Sequence, residues 1–506
     1  MDFNSKVSRA IHQGTARGAF LAAWFVLVAG CAVGPDYKRP DQAVPAAFKE
    51  DADWKAAAPE DGANRGAWWG VFNDPVLSQL EVQIETSNQS VREAVANYEE
   101  SRQIARADRT GYLPDVSISG SAQRTRATSF TSVTQSTTTG TTTTTVATAP
   151  TRGLTSNLFT AELQASWEPD IWGKLSRTVE SDVETAQASA ADLALARLSM
   201  QGTLAQDYIQ LRAADDQIRL LEDAVEAYKR TVKITNNKYA VGVSARSDII
   251  TAQTQLDSTR AELIAVGVTR AQLEHAIAVL VGQAPSDFSV ARTPTMGLTL
   301  PQIPPQLPAA LLERRPDVAA AEREAAAANA KIGVQTAAYF PTLSLSADGG
   351  YDGPQIQNLI TAPFKFWTIG AQAADSLLDW GQRHDLVLSA RATYEASAAN
   401  YRQTVLTALQ QVEDGLSELR ILKQESTVQD AAVSEAAQAS QIALNEYNAG
   451  TVDFTTVAAA QVTELTNRET ALGIVQNRLT SSVALIQALG GGWRTSDLPS
   501  PRQVTK

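Results

Sequence analysis

The chain has 506 residues, 44% of them hydrophobic, a formal net charge of −12 and a single cysteine. That hydrophobic content suits a folded protein, and the acidic balance argues against nucleic acid as a partner, because phosphate binding needs a basic face. One cysteine excludes an internal disulfide, and with three histidines a His- or Cys-based metal centre has too few ligands; no cofactor is expected.

Residues 1–30 read as a secretion signal. Lys6, Arg9 and Arg17 form its basic region, and Ala19 to Val28 its apolar core, too short to span a bilayer. The segment ends in Val28-Ala29-Gly30-Cys31, the pattern of a bacterial lipobox, in which Cys31 receives lipid and becomes the new N-terminus. Ala32 rather than Asp behind the cysteine points to export to the outer membrane. Lipid alone anchors modestly, so a second membrane contact is required.

Residues 31–66, rich in Pro, Ala and charge, read as a linker. Repeat one then runs from 67 to 300. Trp68-Trp69-Gly70-Val71-Phe72-Asn73-Asp74-Pro75 reads as aromatic packing beside a turn. One helix is expected from Leu77 to Arg109. At Tyr112-Leu113-Pro114 the apolar period changes to two, and a β-hairpin is expected over 112–169. Val116, Ile118 and Gly120 alternate with serines; Phe159, Ala161, Leu163, Ala165 and Trp167 alternate with polar residues. The Thr-rich tract Thr137 to Thr145 reads as the exposed loop between the strands.

A long helix follows over 174–239, about 66 residues without proline. Its apolar residues fall at heptad-like spacing, among them Leu204, Tyr208, Leu211, Ile218, Leu221, Val225 and Tyr228. At a rise of ~1.5 Å per residue it is roughly 100 Å long. A turn at Tyr239–Ser244 leads to a return helix over 248–281. A Pro-rich connector precedes repeat two, 301–493, which opens on Arg314-Arg315-Pro316-Asp317; these arginines read as a surface ion-pairing group. A shorter hairpin (339–378), a long helix (381–447) and a return helix (453–489) follow, then a polar tail (494–506). Trp172 and Trp380, and likewise Tyr239 and Tyr447, stand 208 positions apart, the mark of an internal repeat. The two short helices of each half sum to one long arm, so they can stack end to end beside it.

No apolar run outside the leader reaches the ~18 residues of a membrane helix. If the chain crosses a membrane, the four strands do it. A spanning sheet must close, and about eight strands are the smallest usual number. Several copies must therefore share one barrel.

The lipobox at Cys31, Trp68-Trp69 with Phe72-Asn73-Asp74-Pro75, Arg314-Arg315-Pro316-Asp317 and the two Tyr…Gly turns together resemble the TolC-like outer membrane factors, in the NodT-like lipoprotein branch that serves RND-type efflux pumps. The resemblance implies an α+β membrane channel: a homotrimer with four strands per protomer in a β-barrel, and a long coiled-coil-like α-barrel in the periplasm. It implies a passive duct, not an enzyme, coupled to a periplasmic adaptor (membrane fusion protein) and an inner-membrane RND pump. The turns Val241, Gly242, Val243, Ser244 and Ala449, Gly450, Thr451, Val452 would dock the adaptor. Asp248, Asp453 and Phe454 are the aperture candidates. In the family an acidic residue often follows the second turn, where this chain has the uncharged Thr455-Thr456-Val457-Ala458; Asp248 and Asp453 also suit helix capping. A type I secretion channel and a lipid-anchored trimeric stalk without a pore are the alternatives.

Overall fold

A computed structural model describes residues 32–45, 47–51, 66–129, 151–293, 295–301 and 311–506. The leader, Cys31 and Thr137–Thr145 lie outside the described residues. The longer elements in chain order are α1 (Pro75–Ser87), α2 (Gln89–Arg109), β1 (Asp115–Ser129), β2 (Thr151–Trp167), α3 (Lys174–Ala240), α4 (Arg246–Leu280), α5 (Pro316–Ala337), β3 (Thr342–Gly353), β4 (Lys365–Ala374), α6 (Gln382–Ala449) and α7 (Phe454–Ala488). They fall into two compact units. The first comprises the described residues of Met1–Tyr37, Ile104–Ser181 and Ala328–Tyr394, and the second those of Lys38–Gln103, Asp182–Ala327 and Glu395–Lys506.

The first unit holds the sheet. Its order is β1-β2-β3-β4 and every pairing is antiparallel. The register keeps the central apolar positions in phase: Ile118 faces Leu163, Leu163 faces Gly349, and Gly349 faces Trp367. Side chains alternate faces with period two, so a slip of one residue would break this phase. Before the sheet, the segment read as a linker is in part a strap. The Val33 amide donates to Trp172 O (3.2 Å), and Arg177, whose side chain is 7% exposed, pairs with Asp36 at 2.9 Å. Gly34 has φ +108, and a Cβ there would lie 2.5 Å from the Cα of Gly333, so only glycine permits this contact.

The second unit packs helices. The helix expected from Leu77 to Arg109 is two. Asn88 is extended (φ −67, ψ 127) and divides α1 from α2. Its Oδ1 accepts from the Val91 amide at 3.0 Å and its Nδ2 donates to Leu280 O at 2.8 Å. A capping asparagine thus satisfies one free amide of the new helix while pinning the end of α4. Asp74 caps α1, accepting from the amides of Val76 and Leu77, with Pro75 in the first turn.

Trp68, Trp69 and Phe72 sit in the main core with Tyr208 and Leu211. Trp68 and Trp69 meet edge to face at 5.9 Å. A polar chain runs through the same region. Tyr208 OH donates to Asp74 (2.8 Å), Arg212 Nε donates to Tyr208 OH (2.9 Å), and Asp215 accepts from Arg212 (3.1 Å) and Arg270 (2.7 Å). Arg212 and Arg270 also donate to the carbonyls of Ala291 and Val290, which fastens that strand of loop to α3 and α4.

One sequence expectation is corrected here. Arg315 is buried rather than a surface pair: it donates to Ala488 O at 2.8 Å and to Asp317 at 2.6 Å, closing the C-terminus of α7. The helix α4 contains a stretch apolar enough, by length and composition, to cross a membrane, although no unbroken apolar run signals it. Arg270 and Glu274 lie in that helix and pair with each other at 3.2 Å, and its buried Ile277 and the capping residue Val281 belong to the main core.

Candidate functional site: the helix turns and the uncovered sheet

Two features stand out among the described residues: an apolar surface left uncovered and a rigid closure repeated at the end of each long helix. The sheet supplies the first. Ile118 is 84% exposed, Trp367 72% and Ile369 75%. They share one face with Val116, Leu163 and Ala165 by register. The opposite face carries Ser117, Ser119, Thr160, Glu162, Gln164, Ser346 and Asp348. A water-soluble sheet covers its apolar side; this one covers neither, and β1 and β4 each have one strand edge without a partner among the described residues.

The two interhelical turns supply the second. Both repeats close the long helix with the same pair of bonds. Gly242 N donates to Tyr239 O (2.9 Å) and Val243 N to Lys238 O (2.8 Å); Gly450 N donates to Tyr447 O (3.1 Å) and Thr451 N to Glu446 O (3.0 Å). This is a Schellman closure, and it requires the left-handed φ of +77 at Gly242 and +83 at Gly450. Val241 and Val243 stand exposed in the first turn, as do Ala449, Gly450 and Thr451 in the second; Ser244 and Val452 are half-buried.

The two turns are locked together around Tyr447, through Ser244 and through Lys238, which the sequence did not single out. The Lys238 ammonium lies 4.0 Å from the centroid of the Tyr447 ring and donates to Tyr447 O. Ser244 Oγ lies 3.3 Å from Tyr447 OH and donates to Asp248 at 2.7 Å. Tyr447 is buried, whereas its repeat counterpart Tyr239 is exposed. The repeat register could have flagged this asymmetry, because Lys238 aligns with the oppositely charged Glu446.

The aperture candidates divide. Phe454 is fully buried, edge to face with Tyr447 at 5.5 Å, in a small core with Ala252, Ala443 and Val457; the expectation that its side chain faces an aperture is corrected by that burial. Asp453 is exposed and caps α7. Its carboxylate accepts from Thr455 Oγ1 (2.8 Å), Thr456 Oγ1 (2.9 Å) and the Thr456 amide (3.1 Å). The Thr455 and Thr456 hydrogen bonds hold it below the usual carboxylate range. Asp248 reaches back to the Ala245 amide at 3.3 Å, the reciprocal arm of a capping box. No group of three or more His, Cys, Asp or Glu residues suited to a metal ion occurs among the described residues.

Comparison with known proteins agrees with this geometry. The model of the family "Outer membrane efflux protein" matches residues 80–283 and 307–491. The probable efflux pump outer membrane protein TtgC of Pseudomonas putida is 27% identical over 475 residues, 94% of this chain and 95% of that protein. Nodulation protein T of Rhizobium leguminosarum bv. trifolii is 27% identical over 397 residues, 77% of this chain and 79% of that protein. The solved structure of the outer-membrane channel OprN superimposes with a TM-score of 0.82 at 28% identity, covering 92% of this chain and all of that one. With a family model spanning more than half its length, two Schellman-closed helical arms and a sheet whose apolar side lies bare, the chain belongs to the outer membrane efflux protein family.

Proposed function

We propose that three copies of this chain form the exit duct of a tripartite efflux system in the bacterial outer membrane, with their twelve strands closed into one barrel and their long helices forming a periplasmic conduit. The observation that carries this reading is the bare apolar side of a four-stranded sheet with two open edges. Lipid tolerates neither an open edge nor a sheet too small to close, so the strands of several copies must be pooled. The duct is passive and performs no chemistry. An inner-membrane pump of the RND type supplies energy, and a periplasmic adaptor joins the two. Light scattering of the detergent-solubilised protein tests the assembly: three copies per particle is the expected mass, and a strictly monomeric particle overturns it.

The adaptor docks on the turns Val241–Ser244 and Ala449–Val452, where exposed valines offer apolar contact beside rigid backbone. Gly242→Val or Gly450→Val forces a β-branched side chain into left-handed backbone. No atom lies near either position, so the barrel folds while the turn distorts. Such variants are expected to reach the outer membrane at normal levels yet lose most efflux-dependent tolerance in a sensitivity panel; unchanged tolerance refutes docking at the turns.

Asp248 and Asp453 contribute negative charge at the aperture. Their joint replacement by Ala is expected to lower cation preference in reversal-potential measurements, and an unaltered preference removes both from the aperture. Cys31 carries the lipid anchor. Cys31→Ser is expected to abolish incorporation of labelled palmitate, and label retained by the variant refutes the lipobox.

A further inference from the structure

The internal repeat specifies how one copy joins the next. The register of β1 on β2 pairs Val116 with Ala165 and Gly120 with Ala161. Moving the first strand forward by 227 positions (Tyr112 to Tyr339) and the second by 208 (Trp172 to Trp380) turns these into Leu343 with Ala373 and Ala347 with Ile369. Those are the observed pairs of β3 on β4. The two hairpins are therefore superposable in register, not merely similar in sequence. Among the described residues one seam inside the copy joins repeat to repeat, that of β2 on β3, with Ala165 opposite Ala347, Leu163 opposite Gly349 and Glu162 opposite Gly350.

A closed ring of such repeats has a second kind of seam, β4 on the β1 of a neighbouring copy. We infer that this seam repeats the β2–β3 register, so that Ala373 lies opposite Gly120, Ala371 opposite Ala122 and Gly370 opposite Gln123 of a second copy of this chain. The inference rests on the proposed assembly and adds its register.

Three observations support it. First, the phase is right: Gly120 and Ala122 share the apolar face of β1, and Ala371 and Ala373 that of β4. Registers displaced by one residue are excluded, because they would turn one strand's apolar side to the lumen. Second, the tight point of the inner seam has a counterpart. A Cβ on Gly350 would lie 2.2 Å from Ala161 O and 2.6 Å from the Glu162 Cα, so this crossing needs a glycine. The inferred seam also places one glycine there, Gly370, now on the other strand and opposite Gln123. Third, the rim residues are bare where a neighbour should cover them. In the inner seam Trp172 stacks on Phe340 at 4.7 Å and donates its indole N–H to Pro341 O at 2.8 Å. The counterparts are Trp380, 89% exposed, and Leu113, 69% exposed. Both turns share a left-handed glycine, Gly173 at φ 76 and Gly381 at φ 93, but Trp380 itself has φ 55 while its counterpart Trp172 has no positive φ, so the inference is confined to the indole ring covering Leu113.

Disulfide trapping tests the register. In otherwise native, lipidated protein, Gly120→Cys with Ala373→Cys gives the predicted interchain pair. Position 120 has room for a side chain, its nearest neighbour being Thr160 O at 3.9 Å. Ala165→Cys with Ala347→Cys is the matched pair inside one chain. Gly120→Cys with Ala371→Cys, and Ala122→Cys with Ala373→Cys, are the pairs displaced by two. After copper–phenanthroline oxidation, the first pair should give covalent trimers on non-reducing gels at several times the yield of either displaced pair. A displaced pair that links better overturns the register while the shared barrel stands. No interchain link in a particle of three copies, with the intrachain control linked, also overturns it. A monomeric particle defeats the assembly itself. Trp380→Ala should lower the temperature at which the trimer dissociates on gels, and Trp380→Phe should restore most of it; equal trimer stability in all three overturns the rim contact.

Discussion

Asp215→Ala is expected to destabilise the helical unit by about 3–5 kcal/mol, the cost of leaving a buried charge without its partner. Asp215 has no side-chain exposure and accepts from Arg212, 3% exposed, and Arg270, 14% exposed. Its removal leaves the Arg212 guanidinium buried beside Tyr208 with a carbonyl and a hydroxyl in place of a carboxylate. The loop around Val290 to Thr293 should loosen at the same time, since the Thr293 amide bonds to Asp215 and the carbonyls of Val290 and Ala291 accept from the two arginines that Asp215 holds. Thermal unfolding followed by circular dichroism measures the first effect, and amide exchange over residues 290–293 the second. Asp215→Asn, which keeps the hydrogen-bond acceptor but not the charge, should fall between the alanine variant and the native protein. A melting curve unchanged in the alanine variant would show that the network is dispensable.

The second large effect is one of pH. Glu81 is fully buried on α1, and neither carboxylate oxygen has a hydrogen-bond partner. Burial pushes its pKa up to about 9 from 4.5, so the folded chain keeps the proton at neutral pH. The unfolded chain releases that proton near its ordinary value. Between the two values the folded state binds more protons than the unfolded one, and stability therefore falls as pH rises. The slope is about −1.4 kcal/mol per pH unit, and the accumulated loss at neutral pH is roughly 3 kcal/mol. Below the ordinary pKa of a glutamate this loss vanishes. Glu81→Gln, which keeps shape and stays neutral, should remove this slope and raise the melting temperature at pH ~8 far more than at pH ~5. Equal gains at both pH values would mean that Glu81 is not held protonated.

The elements that the sequence made legible are those whose chemistry is periodic. Val116, Ile118 and Leu163 recur with period two because one side of the sheet meets a medium different from the other. The long arms carry apolar residues at steps of three and four because one stripe is packed. The repeat made the turns legible too, because left-handed backbone after a helix calls for glycine at both Gly242 and Gly450.

What was hidden depends on partners far away in the chain. Asn88 is tolerated inside a helix, and only its bonds to Val91 and Leu280 reveal it as a break. Glu81 falls in an amphipathic helix, where a carboxylate ordinarily faces water. Arg315 lies in a charged cluster that reads as surface, yet its partner is the carbonyl of Ala488, 173 positions on. Phe454 follows a turn at the place expected for an aperture, and the aromatic pair with Tyr447 takes it inward. The strap from Val33 to Asp36 has the composition of a linker; its order comes from Arg177, Asn329 and the close pass at Gly333.

In the proposed duct a pore exists only when copies pool their strands. Planar-bilayer recording of the purified, lipidated protein tests this most directly. Discrete, long-lived conductance steps are expected from particles of three copies, whereas a lipid-anchored stalk would give none. A membrane that stays electrically silent after insertion of the intact trimer would contradict a shared pore.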